Sequence, residues 1–198
     1  MLIGRLLFAA VFGYIVGAFP TGVLVVWLLG KPDVRFRGSG HTGGSNVRRV
    51  AGIAWGVGTA LVDVSKGVLA AWLAVRLTGT SWALPAAGMG AVAGHCWSAY
   101  VGFAGGMGLS TLGGLFLWQQ PLAVFIAVTL WGLGYLLLRN SPRAVLFMAV
   151  LMAPVFWLLG NFGYASPETA ALGIGGVGVI FVRHLTQLHA YDQRAAAE

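Results

Sequence analysis

The chain has 198 residues, of which 58% are hydrophobic and only 9% charged, with a formal net charge of +7. An average soluble domain carries about 25% charged residues, so this chain cannot clothe a water-facing surface, and neither a soluble globular domain nor a disordered segment fits. A collagen-like chain is excluded too, because the 31 glycines keep no three-residue period and only 7 prolines accompany them. What remains is an all-α polytopic membrane protein.

An apolar helix needs roughly 20 residues to cross the hydrocarbon. The first predicted span covers 2–29 and is interrupted by Pro20. It is too long for the apolar core of a signal peptide and no small-residue cleavage pattern follows it, so it reads as a helix that stays. The second span is predicted at 51–77 and the third at 83–101. A short fourth at 109–118 and a fifth at 121–138 are split by Gln119, Gln120 and Pro121. The sixth lies at 144–160 and the seventh at 169–182, giving about seven transmembrane helices; five full spans with shorter or re-entrant pieces would also fit.

Lys/Arg placement sets the expected orientation. With the N-terminus outside, the inner segments hold Lys31, Arg35, Arg37, Arg48, Arg49, Arg139, Arg143, Arg183 and Arg194, against Arg5 and Arg76 near the outer ends. The expectation is N-out, C-in. No repeat and no linker divides the chain, so 1–198 reads as a single membrane domain. Cys96 stands alone, which removes any intrachain disulfide, and no Cys/His spacing resembles a zinc site. No zinc ion is expected on that ground. In a membrane protein the positive charge points to anionic substrates and membrane lipids rather than to nucleic acid.

Four segments could carry chemistry. The run from Arg35 to Arg49 packs four Gly, two Ser, one Thr, one Asn and four Arg between two apolar spans. Glycines let backbone N–H groups turn toward an anion, hydroxyls add donors, and Arg49 is expected one turn into the next helix near its positive end. A flexible loop with positive-inside charge would look the same. No Gly-Lys-Ser/Thr follows the glycines, so the run is not a P-loop. Next, Asp63 and Lys66 sit three apart inside the second span, on one helix face, where they can neutralise each other. The third segment runs from Gly94 and His95 to Thr111 and ends in a second glycine-rich loop, Gly105-Gly106-Met107-Gly108. The fourth is Arg183-His184 with Gln187 at the inner end of the last span, His184 and Gln187 sharing a face. Gly13, Gly17, Gly132, Gly134, Gly173 and Gly176 read as helix-packing positions.

Together these segments resemble the bacterial acyl-phosphate:glycerol-3-phosphate acyltransferases known as PlsY. Gly17-Ala-Phe-Pro20-Thr-Gly22 is similar to that family's Gly-Ser-Ile-Pro-x-Gly. The stretch from Gly38 to Arg49 is similar to its Gly-Ser-Gly-Asn-x-Gly-Ala-Thr-Asn-x-x-Arg loop. Asp63-Val-Ser-Lys66-Gly67 matches its Asp-x-x-Lys-Gly, and Gly94–Thr111 parallels its Gly-His-x-x-Pro…Phe-x-Gly-Gly-Lys-Gly-x-x-Thr. The resemblance covers nearly the whole chain, with four motifs in order.

The resemblance implies a seven-helix fold in the bacterial inner membrane with the site facing the cytoplasm, acting as a monomer and needing no metal or cofactor. It implies transfer of an acyl group from acyl-phosphate to the 1-hydroxyl of glycerol 3-phosphate, giving lysophosphatidic acid in phospholipid synthesis. By position, Ser39, Ser45 and Asn46 would be catalytic. Gly38, Gly40, His41, Gly43, Arg49, Gly105, Gly106, Gly108, His184 and Gln187 would bind substrate, with Asp63, Lys66 and His95 bracing or lining the site. The sequence departs from the family at polar positions: Met107 and Ala104 stand where lysines are usual, Ser98 where proline is, His41 for asparagine, Ser45 for threonine and Gln187 for asparagine. A relative with weak turnover or a different acceptor stays open on these departures, as does a small-anion transporter, although no inverted repeat accompanies it.

Overall fold

The computed structural model describes residues 1–195, with side chains as far as Leu188; the side chain of Arg194 lies outside that range. Every regular element among the described residues is helical. The chain forms two compact units, residues 1–115 and 116–198.

In the first unit, α1 (Leu2–Gly17) stops before Pro20 and α2 (Thr21–Leu28) resumes after it. Proline lacks an N–H and its ring clashes with the preceding turn, so the helix breaks there. The break leaves carbonyls without helical partners in an apolar setting, where each must find a donor. Ser98 Oγ–H donates to Ala18 O. Lys66 Nζ donates to Phe19 O at 3.1 Å, which also accepts from the Thr21 N–H at 3.0 Å.

Beside α1 lies α5 (Ala83–Cys96). The two meet through small residues: a Cβ at Gly13 or Gly17 would overlap the backbone of Ala87 or Ala91, and one at Gly90 or Gly94 the backbone of Ala10 or Tyr14. Close backbone approach of this kind replaces the hydrophobic drive that lipid cannot supply.

The stretch before the second predicted span is not loop. It forms a separate short helix, α3 (Gly44–Ala51), before α4 (Ile53–Thr78). Gly52, at φ +99°, makes the corner, a conformation that favours glycine. A Cβ at Gly44 would strike Gly56 O and one at Gly56 would strike Arg48, so two glycines let α3 lie tightly on α4. Arg49 therefore belongs to the last turn of α3 rather than to the start of the next span. The third predicted span is also too long by five residues. The helix ends at Cys96, Trp97 and Ser98 leave helical geometry, and a single 3-10 turn covers Ala99–Val101. Carbonyls freed at that end are taken up elsewhere: His95 O accepts from Gly106 N at 2.9 Å and Trp97 O from Tyr14 OH at 2.6 Å. After the second glycine-rich loop comes α6 (Leu109–Gln119).

The second unit carries α7 (Pro121–Leu138), α8 (Ser141–Asn161) and α9 (Pro167–Ala195). The start of α8 lies three residues before its predicted position because Asn140 Oδ1 caps it, accepting from Arg143 N at 3.0 Å. At its far end α9 runs well past the predicted 182, since Arg183 to Gln187 continue the helix once it leaves the apolar stretch. Its Gly173 lies against the ring of Phe156, and Gly134 of α7 against Phe147 and Ala144, leaving no room for a Cβ. Of α7's 18 residues only Ala123 and Gly134 are buried, although the helix has a mean hydropathy of 2.0. An apolar helix exposed almost all round is stable only against lipid. Among the described residues, four stretches are long and apolar enough to cross a membrane: Leu2–Leu28, Pro121–Leu138, Ser141–Asn161 and Pro167–Leu188.

Candidate active site

The first glycine-rich loop is organised by one amide. Asn46, 1% exposed, turns its side chain back from α3 into the loop that precedes it. Its Oδ1 accepts from Ser39 N at 3.0 Å, and its Nδ2 faces Val34 O at 2.8 Å, His41 O at 2.9 Å and Arg37 O at 3.0 Å. Gly38 and Gly40 take positive φ of +55° and +75° so that the chain can curl around this amide. A Cβ at Gly38 would hit Asn46 Oδ1 and lie 3.7 Å from Arg49 Cδ. Arg49 thus returns alongside Gly38 although ten residues separate them. Asn46→Ala would leave a buried carbonyl without a donor, at about 1–3 kcal/mol for one such group. The expected outcome is fast hydrogen exchange over residues 37–43 and a larger loss for Asn46→Asp, which puts a carboxylate oxygen against three carbonyls.

The second loop docks on the first and on His95. Thr42 N lies 3.5 Å from Gly105 O, joining the two loops. Neither Gly105 nor Gly106 has space for a Cβ: the first would meet the carbonyls of His95 and Cys96, the second the His95 ring at Nε2. Gly108, at φ +81°, turns the chain into α6. Under the ring lies a buried charge cluster. Lys66 Nζ is 2.9 Å from Asp63 Oδ1, and His95 Nδ1 is 3.6 Å from the same oxygen, with all three side chains at most 7% exposed. Asp63 orients His95, His95 backs Gly106, and Lys66 holds the carbonyl at the Pro20 break. Gly106→Ala is expected to push the ring off Asp63, costing about 1–3 kcal/mol as overpacking does; a thermal melt of the purified variant, with turnover on the same sample, checks it.

Donors remain at the loop's end. Gly43 caps α3 through its backbone alone, so the N–H groups of Gly44 and Ser45 carry no partner among the described residues. The Ser45 side chain is exposed, as is Arg49, and no salt bridge engages that guanidinium among the described residues. Ser39 is half-buried and His41 buried. Unpaired N–H groups, a hydroxyl and an unpaired guanidinium are what an anionic substrate needs.

His184 and Gln187 belong to the second unit. His184 is 3% exposed, with Nδ1 at 3.0 Å from Ile180 O one turn back. Gln187 is half-buried on the same helix. Two residues with positioning roles were not singled out from the sequence. Tyr14 bonds the end of α5, and its phenol in an apolar span was the available signal. Ser98, noted only as a departure from proline, ties α5 to the broken end of α1.

Comparison with known proteins identifies the family. The family model for glycerol-3-phosphate acyltransferase matches residues 7–191. A glycerol-3-phosphate acyltransferase of Symbiobacterium thermophilum is 36% identical over 181 residues, covering 91% of this chain and 87% of that relative. One of Syntrophotalea carbinolica is 42% identical over 176 residues, covering 86% of each. The crystal structure of PlsY, an integral membrane glycerol 3-phosphate acyltransferase, in its glycerol 3-phosphate form superposes with a TM-score of 0.74 at 28% identity, covering 95% of this chain and 92% of that one. With the motifs in order, the glycine-rich loops joined and the match running through both units, this multi-pass membrane chain belongs to the glycerol-3-phosphate acyltransferase family.

Proposed function

We infer that the protein acylates glycerol 3-phosphate, using an acyl phosphate as donor, to give lysophosphatidic acid and inorganic phosphate in phospholipid synthesis. The observation that carries this reading is the pair of joined glycine-rich loops beside Arg49, which has no ion-pair partner among the described residues. An acyl phosphate is a mixed anhydride, already activated, so alignment and charge stabilisation are the main tasks. Ser39 and Arg49 receive the phosphate of glycerol 3-phosphate, with His184 and Gln187 assigned to the same substrate by motif. Ser45, the free N–H groups at the start of α3 and the loop of Gly105 to Gly108 receive the acyl phosphate. The 1-hydroxyl oxygen attacks the acyl carbon, the carbon–oxygen bond to phosphate breaks, and a substrate phosphate takes the hydroxyl proton. Asn46, its amide occupied by loop backbone, acts as a positioning residue. Asp63 and His95 set the second loop from beneath.

The match across both units supports treating the chain as one functional domain. The Lys/Arg distribution supports seven crossings, N-terminus out, in a bacterial cytoplasmic membrane with the site facing the cytoplasm. We assign a monomer.

The test is turnover by purified protein in lipid cubic phase with palmitoyl phosphate and glycerol 3-phosphate, following phosphate and lysophosphatidic acid together. Wild type is expected to form both in equal amounts. Met107→Lys, which supplies the cation usual in the family, is expected to raise kcat/KM about tenfold, the lower end for a charge-assisted bond. Phosphate release without lysophosphatidic acid, in wild type and Met107→Lys alike, would overturn the reading. Met107 also favours a second one, a relative of weak turnover, recognised by activity that appears only in Met107→Lys.

A further inference from the structure

Outside the loops, the first unit has a cavity of about 320 Å³ lined by Pro20, Val23, Leu24, Val26 and Trp27 of the α2 region and by Lys31, Asp33 and Arg35 beyond it. Its size is at the small end of the roughly 300–1,000 Å³ range of ligand pockets. The lining is divided by chemistry. One wall is aliphatic and indole, with Leu24 and Trp27 exposed. The other holds three charged groups, of which two are already committed. Arg35 grips the Asp33 carboxylate through Nη2 at 2.7 Å and Nε at 3.0 Å and gives Nη1 to Val101 O at 3.3 Å. That grip holds the Asp33 carboxyl below the usual carboxylate range. Lys31 is exposed and has no ion-pair partner among the described residues. The mouth therefore offers one net positive charge beside an apolar trough.

Both walls are tied to residues that hold the active site. The Phe19–Pro20 break at the head of α2 is held by Lys66, and the turn at Val34 is held by Asn46. Val26, which lines the cavity, also packs with Val34 and Val47 in the small core beneath the first glycine-rich loop.

We propose that this cavity binds a single-chain lipid bearing a phosphate headgroup, its chain along Val23 to Trp27 and its headgroup on Lys31. A bare phosphate would leave the apolar wall empty, and a zwitterionic headgroup would bring a cation against Lys31. In the acyltransferase reading, on which the choice of probe rests, both the acyl donor and the lysolipid product have this chemistry. The site is then a second station for one of them, distinct from the Arg49 loop.

Native mass spectrometry of the protein released from detergent tests this, in an Arg49→Ala background that weakens the loop site. The probes are lysophosphatidic acid, a non-hydrolysable acyl phosphonate and lysophosphatidylcholine of equal chain length. One retained phosphate lipid is expected in preference to lysophosphatidylcholine. Lys31→Gln is expected to weaken it about fivefold, the effect of one basic residue near an anionic lipid, and Val23→Phe to expel it by filling the trough. Preference for the phosphonate marks donor loading and preference for the lysolipid marks product exit, and either supports the site. Equal retention of lysophosphatidylcholine, or a preference untouched by Lys31→Gln and Val23→Phe, overturns it. So does loss of all retention in Arg49→Ala alone, which would place the lipid on the loop. Turnover of the Arg49-intact protein, measured separately, shows whether the acyltransferase reading fails instead.

Discussion

Arg49→Ala is expected to lower kcat/KM about a hundredfold or more while leaving the thermal midpoint nearly unchanged. The guanidinium is exposed at the last turn of α3, beside Gly38, and holds no ion pair among the described residues, so the fold loses little without it. Exposed substitutions away from such features fall within about 0.5 kcal/mol. A charge-assisted hydrogen bond to phosphate contributes about 1.5–3 kcal/mol, and a planar fork makes two. Arg49→Lys keeps the charge and loses the fork, so it should land between wild type and alanine. Steady-state kinetics over a range of glycerol 3-phosphate concentrations, with a melt on each variant, gives the answer. Full activity in Arg49→Ala would remove the loop from the acceptor site.

Asp63→Ala should have the largest effect on stability. Asp63 and Lys66 are a contact ion pair at 2.9 Å, with Lys66 7% exposed and Asp63 1% exposed. Removing one partner strands the other charge away from water, which costs about 3–5 kcal/mol. His95 loses the oxygen that orients it as well. The double variant Asp63→Ala/Lys66→Met removes both charges and should recover much of the loss, because two apolar groups need no partner. It leaves Phe19 O short of one donor, so recovery should be incomplete. Chemical denaturation in detergent of wild type, both single variants and the double gives the coupling directly. Additive losses, with the double worse than either single, would show that the pair does not hold the bundle.

The two expectations rest on different kinds of legibility. Asp63 and Lys66 could be paired from the sequence because a helix repeats every 3.6 residues and an i, i+3 spacing is local. The break at Pro20 was legible for the same reason, since proline acts on its own turn of helix. The apolar runs separated by charged and glycine-rich segments likewise marked a chain that lives in lipid, and among the described residues four stretches are long and apolar enough to cross it. The ordered motifs carried the family.

Other features depend on residues brought together from far apart. An asparagine in a glycine-rich loop looks the same whether its amide meets a substrate or the backbone; packing on Val34, Arg37 and His41 committed this one to the backbone. Ser98 looked like a lost proline until it met Ala18 O eighty residues away, and Lys66 looked like a partner for Asp63 alone until it met Phe19 O. The start of α3 misled because its glycines read as loop; one of them, Gly44, together with Gly56 of α4, lets a short helix lie on a long one. By itself the sequence determined the apolar runs, their order and the motif positions, because periodicity, proline geometry and charge act within a few residues. Only the tertiary structure decided which polar side chains hold carbonyls freed at helix ends, because in an apolar interior every such carbonyl recruits whatever donor the packing brings near.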